Sequence, residues 1–313
     1  MDPLARHPLA PGALSRRDAL RRMGGALAWA GASGTGALAS AGAGRPPSAG
    51  PGPVAPLASV TDPAAPAISP LGAQLYTVRG ELARDLAGTL ARVAAIGYRE
   101  VEFAGYFGRS AAQVRNALEG AGLASPSAHV PAETLGERWP AALDEAGRVG
   151  HRWLVVPSLP SAMRSTLAQV RATAERFNRA GEEARLAGLR FAFHNHDEEL
   201  VPVEGRVPLE VLFEETDPAL VDFQLDVFWV VEGGGDPLAF LDRWPERVPF
   251  LHLKDRTRDG RMVDVGAGAI DWPAVLSRPY PGGARHLYVE HDEPPEPFTS
   301  LRASWVYLSG LEV

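Results

Sequence analysis

From residue 70 onward, short apolar runs alternate with stretches whose apolar residues recur every three to four positions. Eight runs read as strands: 71–78, 100–104, 125–130, 153–158, 190–196, 221–227, 248–255 and 286–292. Between them, Leu82, Leu86, Leu90 and Val93 keep helical spacing ahead of Gly97. Val114, Leu118 and Ala121 do so ahead of Gly122, and Leu167, Val170, Ala174, Phe177 and Ala184 ahead of Gly188. Leu209, Leu212 and Phe213 mark another helix, and 237–244 a short one. A glycine just past the last periodic residue suits a left-handed helix cap. Strand–helix alternation predicts a parallel sheet joined by right-handed crossovers. Eight such units in about 240 residues predict an α/β fold, a single-domain (β/α)8 TIM barrel. An open doubly wound sheet is the competing arrangement. It would carry a Gly-rich phosphate loop after its first strand, where this chain has Leu75-Tyr76-Thr77-Val78-Arg79.

In a closed parallel barrel the chemistry gathers at the C-terminal ends of the strands. The polar residues there are Gln74, Glu102, His129, His194-Asn195-His196, Asp226, His252 with Lys254, and Glu290 with Asp292. The fourth run ends in Pro157-Ser158 and offers nothing. Five of the eight histidines, at 129, 194, 196, 252 and 291, close an apolar run. Residues two apart on a strand share a face, so His194 and His196 do, as do His252 and Lys254, and Glu290 and Asp292. A lumen tolerates charged groups only when they are paired or bind a metal. His194, Asp226, His252 and Glu290, one from each of strands five to eight, suit one divalent ion of the Mn, Co, Zn, Fe or Mg type. Any one of them alone is as well explained as a hydrogen-bonded core group. Four in one register favour the metal.

The chain has no cysteine, which excludes disulfides, thiolate metal sites and cysteine nucleophiles. Lys254 is its one lysine, against 30 arginines. The net charge is −7; six Arg and three Asp fall in the first 69 residues, leaving −10 by difference for the rest. An acidic body argues against nucleic acid or an anionic membrane as partner.

Ser15-Arg16-Arg17-Asp18-Ala19-Leu20-Arg21 resembles a twin-arginine export signal. A weakly apolar, Ala/Gly-rich stretch follows over 23–38, too short and Gly-rich to span a bilayer stably. Ala37-Leu38-Ala39 and Ala39-Ser40-Ala41 offer small-residue cleavage sites. Residues 1–40 are therefore expected to be a removable signal, which places the mature protein in the periplasm or outside the cell. Residues 41–69 are mostly Ala, Pro, Gly and Ser, and a linker without structure is expected there. The barrel is expected over 70–313.

Five motifs carry a family likeness: Gly72-Ala73-Gln74-Leu75-Tyr76-Thr77-Val78-Arg79, Phe191-Ala192-Phe193-His194-Asn195-His196-Asp197, Leu225-Asp226-Val227-Phe228-Trp229, Leu251-His252-Leu253-Lys254-Asp255 and Val289-Glu290-His291-Asp292. Together they resemble the xylose isomerase-like TIM barrel superfamily, and within it the sugar phosphate isomerase/epimerases. The resemblance implies one divalent metal held by Glu, Asp, His and Glu at the ends of strands five to eight. Asp226, His252 and Glu290 take the last three places, and His194 stands where the first Glu is usual. The family's epimerases use the two metal-bound Glu as opposed base and acid, and only Glu290 of that pair is present. Related members are dehydratases, or lyases on keto-sugars and 3-keto-glycosides, which need a single base.

The chemistry expected is proton abstraction next to a carbonyl, through an enediolate held by the metal as Lewis acid. Glu290, His129 and His196 are the candidate bases. The Lys254 ammonium, two residues past His252, is the candidate for stabilising the oxyanion, a task that arginine's larger planar head would do poorly. Gln74 and Glu102 are expected either to bind sugar hydroxyls or to balance lumen charge. Trp229 is expected either to stack on a sugar ring or to plug the barrel mouth. Asp255 is expected to orient or pair with Lys254 or an arginine. The leading expectation is a metal-dependent isomerase or epimerase on a small carbohydrate. A keto-sugar dehydratase or 3-keto-glycoside lyase is the alternative, and a non-catalytic carbohydrate-binding barrel a further one. A phosphodiester-cleaving repair enzyme on the same barrel is disfavoured by the acidic body and the export signal. The absence of an Arg/Gly phosphate cradle, with export, argues for a free or glycosidic sugar.

Overall fold

The computed structural model describes residues 70–312; the expected signal and linker at 1–69 lie outside them. Eight parallel strands close into a barrel: β1 (Leu71–Gln74), β2 (Glu100–Phe103), β3 (Ala124–His129), β4 (Trp153–Val156), β5 (Arg190–His194), β6 (Val221–Asp226), β7 (Phe250–Leu253) and β8 (His286–Val289). Each neighbours the next in sequence, and β8 pairs with β1. Each of the eight expected runs overlaps one of these strands. Seven are shorter than their apolar runs, and the two that reach only half the expected length have identifiable reasons. After Gln74 the chain turns into a 3-10 helix, Leu75–Val78, because the Gln74 side chain accepts the Tyr76 N–H at 3.1 Å. After Leu253 the chain leaves the barrel, and Asp255–Arg256 pairs antiparallel with Met262–Val263 in a small ribbon.

The helices at Leu86–Ile96, Ala111–Ala121, Leu167–Leu186, Pro208–Glu215 and Pro237–Arg243 match the periodic stretches. Two open with a capping box, Ser110 with Gln113 and Thr166 with Gln169, which satisfies the first free N–H groups. Trp139–Val149 and Pro297–Ser309 are helices that the apolar spacing did not single out. The first buries Trp139, Ala142, Leu143, Ala146 and Val149, a face carried partly by alanine. The second buries Ser300 and Ser304 among its apolar residues, which blurs its stripe.

The lower lumen is filled by Trp153, Val155, Ala192, Phe250 and Tyr288. Trp153 and Phe250 meet edge to face, 5.0 Å between ring centroids, an arrangement the aromatic quadrupoles favour. Tyr288 stands in register with Gly72 on one side and His252 on the other. A Cβ at Gly72 would lie 2.6 Å from the Tyr288 ring, so that ring fits only beside glycine. This plug leaves the upper end of the lumen to polar side chains.

Asp255 is buried and, among the described residues, pairs with neither Lys254 nor an arginine side chain, contrary to expectation. It accepts from the backbone N–H of Arg256, Gly266, Gly268 and Ile270 and from Trp272 Nε1. It thereby ties the loop after β7 into a fixed shape.

Candidate active site

Glu102, at the end of β2, has no exposed surface and sits at the centre of the polar layer. It accepts from Gln74 Nε2 at 2.7 Å, Ser127 Oγ at 2.5 Å and Gln224 Nε2 at 2.8 Å. His252 Nε2 lies 2.8 Å away and His129 Nε2 3.0 Å. Burial pushes this carboxyl up, but the facing His129 and His252 hold it well below the usual carboxylate range. Both Glu102 oxygens are thus taken by protein groups, Gln74 among them.

His252 joins this layer to the cluster above it. Its Nε2 is held by Glu102, and its Nδ1 lies 2.9 Å from Glu290 Oε2 and 3.9 Å from Asp226 Oδ2. Asp226, His252 and Glu290 are all buried, and each brings one ligand atom to within 4.8 Å of the other two. Asp226 is fixed on three sides. Its N–H donates to Asn195 Oδ1 at 3.0 Å, Asn195 Nδ2 donates back to its carbonyl at 3.4 Å, and its Oδ1 accepts the Trp229 N–H at 3.0 Å. Oδ2 is left facing the cluster without a hydrogen bond among the described residues.

These residues fit a divalent ion. Two carboxylate oxygens and an imidazole nitrogen converge at the separations that metal–ligand bonds of about 2.0–2.2 Å require. The carboxylate behind His252 holds Nε2 and so makes Nδ1 the nitrogen that faces the cluster, where an ion would take the place of its proton. Burial pushes the Asp226 carboxyl up to about 6, as expected for a buried oxygen short of donors.

Lys254 completes the cluster. Its Nζ lies 3.2 Å from Asp226 Oδ2, 3.0 Å from Glu290 Oε2 and 2.9 Å from Asp292 Oδ1. The contact to Asp226 is an ion pair without hydrogen-bond geometry. Burial alone would discharge this amine, but Asp226, Asp292 and Glu290 keep its pKa well above the ordinary lysine value. Burial pushes Glu290 up in turn, while the ammonium and the His252 hydrogen bond hold it well below the usual range. Both contacts use Oε2, and Oε1 takes no part in them.

His194 Nε2 stands 3.7 Å from Asp226 Oδ2, while its Nδ1 has no hydrogen bond among the described residues. It also groups with His129 and His252, whose ligand atoms lie within 4.8 Å of its own. His194 thus borders the Asp226 cluster and a second, all-imidazole group that shares His252. Burial, then the neighbouring cationic groups, push His194 well below its normal range, so the ring is neutral. His129 donates to Gln224 Oε1 at 2.8 Å and stacks on His252, which spends it on the polar layer. His196 is half-buried at the mouth, its ring 5.2 Å from that of Trp229, and burial and Lys254 push it down to about 3. The Trp229 ring lies 5.5 Å from Lys254 Nζ, and its Nε1 has no hydrogen bond among the described residues.

A family model described as xylose isomerase-like TIM barrel matches residues 90–279. The chain belongs to this family. Its isomerases, epimerases and dehydratases act on small sugar-like substrates, and xylose isomerase-like barrels commonly bind a metal. A sugar phosphate isomerase/epimerase from Parabacteroides distasonis ATCC 8503 superposes with a TM-score of 0.70 at 27% identity, over 82% of this chain and 98% of that one. The inosose dehydratase of Geobacillus kaustophilus (strain HTA426) is 29% identical over 103 residues, 33% of this chain and 33% of the relative. That of Lacticaseibacillus casei is 26% identical over 139 residues, 37% of this chain and 45% of the relative. The chain thus spans from a third to under half of the length of these curated relatives.

Within this xylose isomerase-like barrel, Gln224 and Ser127 meet the site without having been named from sequence, and Asn195 and Asp292, named as strand-end residues, had been given no role. Gln224 was readable, since it precedes Asp226 by two residues on the same strand face. Asp292 likewise follows Glu290 by two. Ser127 had no such signal, because only barrel closure brings it against Glu102, and closure likewise sets Asn195 against Asp226.

Proposed function

We propose that this barrel is a divalent-metal-dependent enzyme that removes a proton next to the carbonyl of a small polyhydroxylated ketone, and that it then eliminates water. The metal ligands are Asp226, His252 and Glu290, with His194 beside them. The observation that carries the elimination is that His194, not a carboxylate, ends β5 beside Asp226, where a second carboxylate would stand in a two-sided epimerase. The inosose dehydratase relatives support the same reading. An ion on these residues would polarise the carbonyl and its neighbouring hydroxyl, acidifying the adjacent C–H. Glu290, through the oxygen not engaged by Lys254, takes that proton. Lys254 holds the charge that develops on the oxygen. The hydroxyl on the next carbon leaves as water once a proton reaches it, and the proton that Glu290 has taken is the one available to it, which also restores the Glu290 carboxylate. Trp229 closes the apolar side of the mouth.

The test is incubation with Mn, Co or Zn and a panel of inososes, keto-sugars and 3-keto-glycosides in deuterated water. Elimination gives an unsaturated ketone with ultraviolet absorbance. An epimer carrying solvent deuterium, with no unsaturated product, would make the enzyme an epimerase instead. Binding without turnover across the panel would favour a carbohydrate-binding barrel.

We further infer export through the twin-arginine pathway to the periplasm or beyond, from Ser15-Arg16-Arg17 ahead of an apolar stretch. Replacing Arg16 and Arg17 together by lysine should retain the full-length protein in the cytoplasm; normal export of that variant refutes the signal.

A further inference from the structure

The two carboxylate oxygens that face a metal are the two that hold the Lys254 ammonium. Asp226 Oδ2 and Glu290 Oε2 lie 3.2 and 3.0 Å from Nζ, and 3.9 and 2.9 Å from His252 Nδ1. An ion bonding those oxygens at about 2.0–2.2 Å cannot share them with an ammonium at its present place. Like charges so close, in a site shielded from water, repel strongly. Among the described residues, Lys254 has one ion-pair partner outside the ligand set, Asp292 Oδ1 at 2.9 Å. The Asp292 side chain is 17% exposed, against 0% for Asp226 and 6% for Glu290, so it lies on the outward side. The four-carbon lysine stem is flexible enough to follow it. Charge gives the same picture. The carboxylates of Asp226, Glu290 and Asp292 surround the single Lys254 ammonium, so negative groups outnumber the lysine that balances them.

We propose that Lys254 is a built-in exchange cation. It neutralises the ligand carboxylates while no metal is bound, and withdraws onto Asp292 when an ion enters. This rests on the reading of Asp226, His252 and Glu290 as metal ligands. Its first consequence is that the metal-free barrel keeps its buried carboxylates paired, so the fold does not need the ion. Its second is that the metal always competes with an internal charge, which sets the affinity lower than the ligands alone would.

The chain's single lysine makes this directly measurable. In the full-length protein, acetylation of Lys254 by an N-hydroxysuccinimidyl ester, located by peptide mass, should be slow without metal and faster with stoichiometric Zn²⁺. By calorimetry, Lys254→Met should bind Zn²⁺ at least about tenfold more tightly than wild type. Asp292→Asn, which removes the retreat, should bind it at least about tenfold more weakly. Zn²⁺ that binds wild type without changing the labelling rate overturns the exchange, as does a Lys254→Met that binds no more tightly. If Lys254→Met does not fold, the labelling rate and Asp292→Asn decide, and unchanged affinity in the latter overturns it. Zn²⁺ bound by Lys254→Met but not by wild type supports the exchange in its strongest form. Zn²⁺ bound by neither removes the metal reading itself, and the exchange with it.

Discussion

Glu102 Oε2 and His252 Nε2 meet at 2.8 Å with both side chains fully buried, so the ring that offers Nδ1 to the cluster is aimed by a carboxylate from the opposite side of the barrel. Four further protein donors or rings converge on that carboxylate. Glu102→Gln keeps its size but turns one oxygen into a donor facing other donors, and it leaves His252 without its anionic partner. Metal affinity should fall by about 10–100-fold. Breaking a buried charge pair should also cost about 3–5 kcal/mol of stability. Calorimetric titration with Zn²⁺ and denaturant unfolding test both. A variant with wild-type affinity would mean that Glu102 does not orient the ligand.

Glu199 predicts how stability responds to pH. It is buried next to the mouth, its Oε2 accepts the His196 N–H at 2.9 Å, and Arg164 Nε lies 3.4 Å from Oε1. Burial raises its pKa to about 8 from the model-peptide value of 4.5. The folded protein therefore keeps this proton where the unfolded chain has lost it. Its contribution is fully present below the unfolded value and is lost as pH rises towards 8, at a limiting slope of about 1.4 kcal/mol per pH unit. Glu199→Gln should remove that slope and be more stable than wild type near pH 8. Urea unfolding of both proteins between pH 5 and 8.5 is the measurement, and parallel curves would contradict it.

Packing at the barrel floor gives a sharper test of geometry. Gly72→Ala places a methyl 2.6 Å from a Tyr288 ring carbon, and neither β1 nor β8 can yield without disturbing its ladder. Overpacking of this kind costs about 1–3 kcal/mol. The displaced Tyr288 would also disturb Ser127, whose Oγ lies 3.0 Å from the Tyr288 hydroxyl and donates to Glu102. Lower stability accompanied by weaker Zn²⁺ binding is expected. A loss of stability alone would show that the floor and the site are uncoupled.

The strands were legible because a strand buried in a barrel reads as an unbroken apolar run, and the polar residues ending those runs stand out against it. Asp226, His252, Lys254 and Glu290 come together as their strand-end positions imply. What escaped the sequence depends on closure or on long loops. Glu102 gathers side chains from β1, β3, β6 and β7, and no spacing along one strand encodes that. Asp255 looks like a partner for its charged neighbour, yet its oxygens are taken by N–H groups up to 17 residues further on. The helix Trp139–Val149 was hidden because alanine, at 142 and 146, fills buried positions without looking apolar enough to mark a stripe.

The last prediction concerns Lys254 in turnover. Three carboxylate oxygens surround its Nζ within 3.2 Å, so the space is shaped for a compact ammonium. A guidinium-bearing side chain at this position keeps the charge but is planar, longer and inclined to grip a carboxylate with two parallel hydrogen bonds. In Lys254→Arg the positive charge is displaced from where the substrate oxygen becomes anionic, and displacement of about 1 Å can cost about a hundredfold in rate. Lys254→Arg should therefore remain folded yet lose roughly that much in kcat, measured at saturating metal so that weaker loading is not mistaken for slower chemistry. In wild type, solvent deuterium should enter the carbon next to the carbonyl of substrate recovered before completion. In Lys254→Arg this exchange should slow together with product formation, because both wait on the same proton. Wild-type turnover in Lys254→Arg would remove the oxyanion role from Lys254. Turnover that slows while exchange stays fast would move that role to the later loss of water.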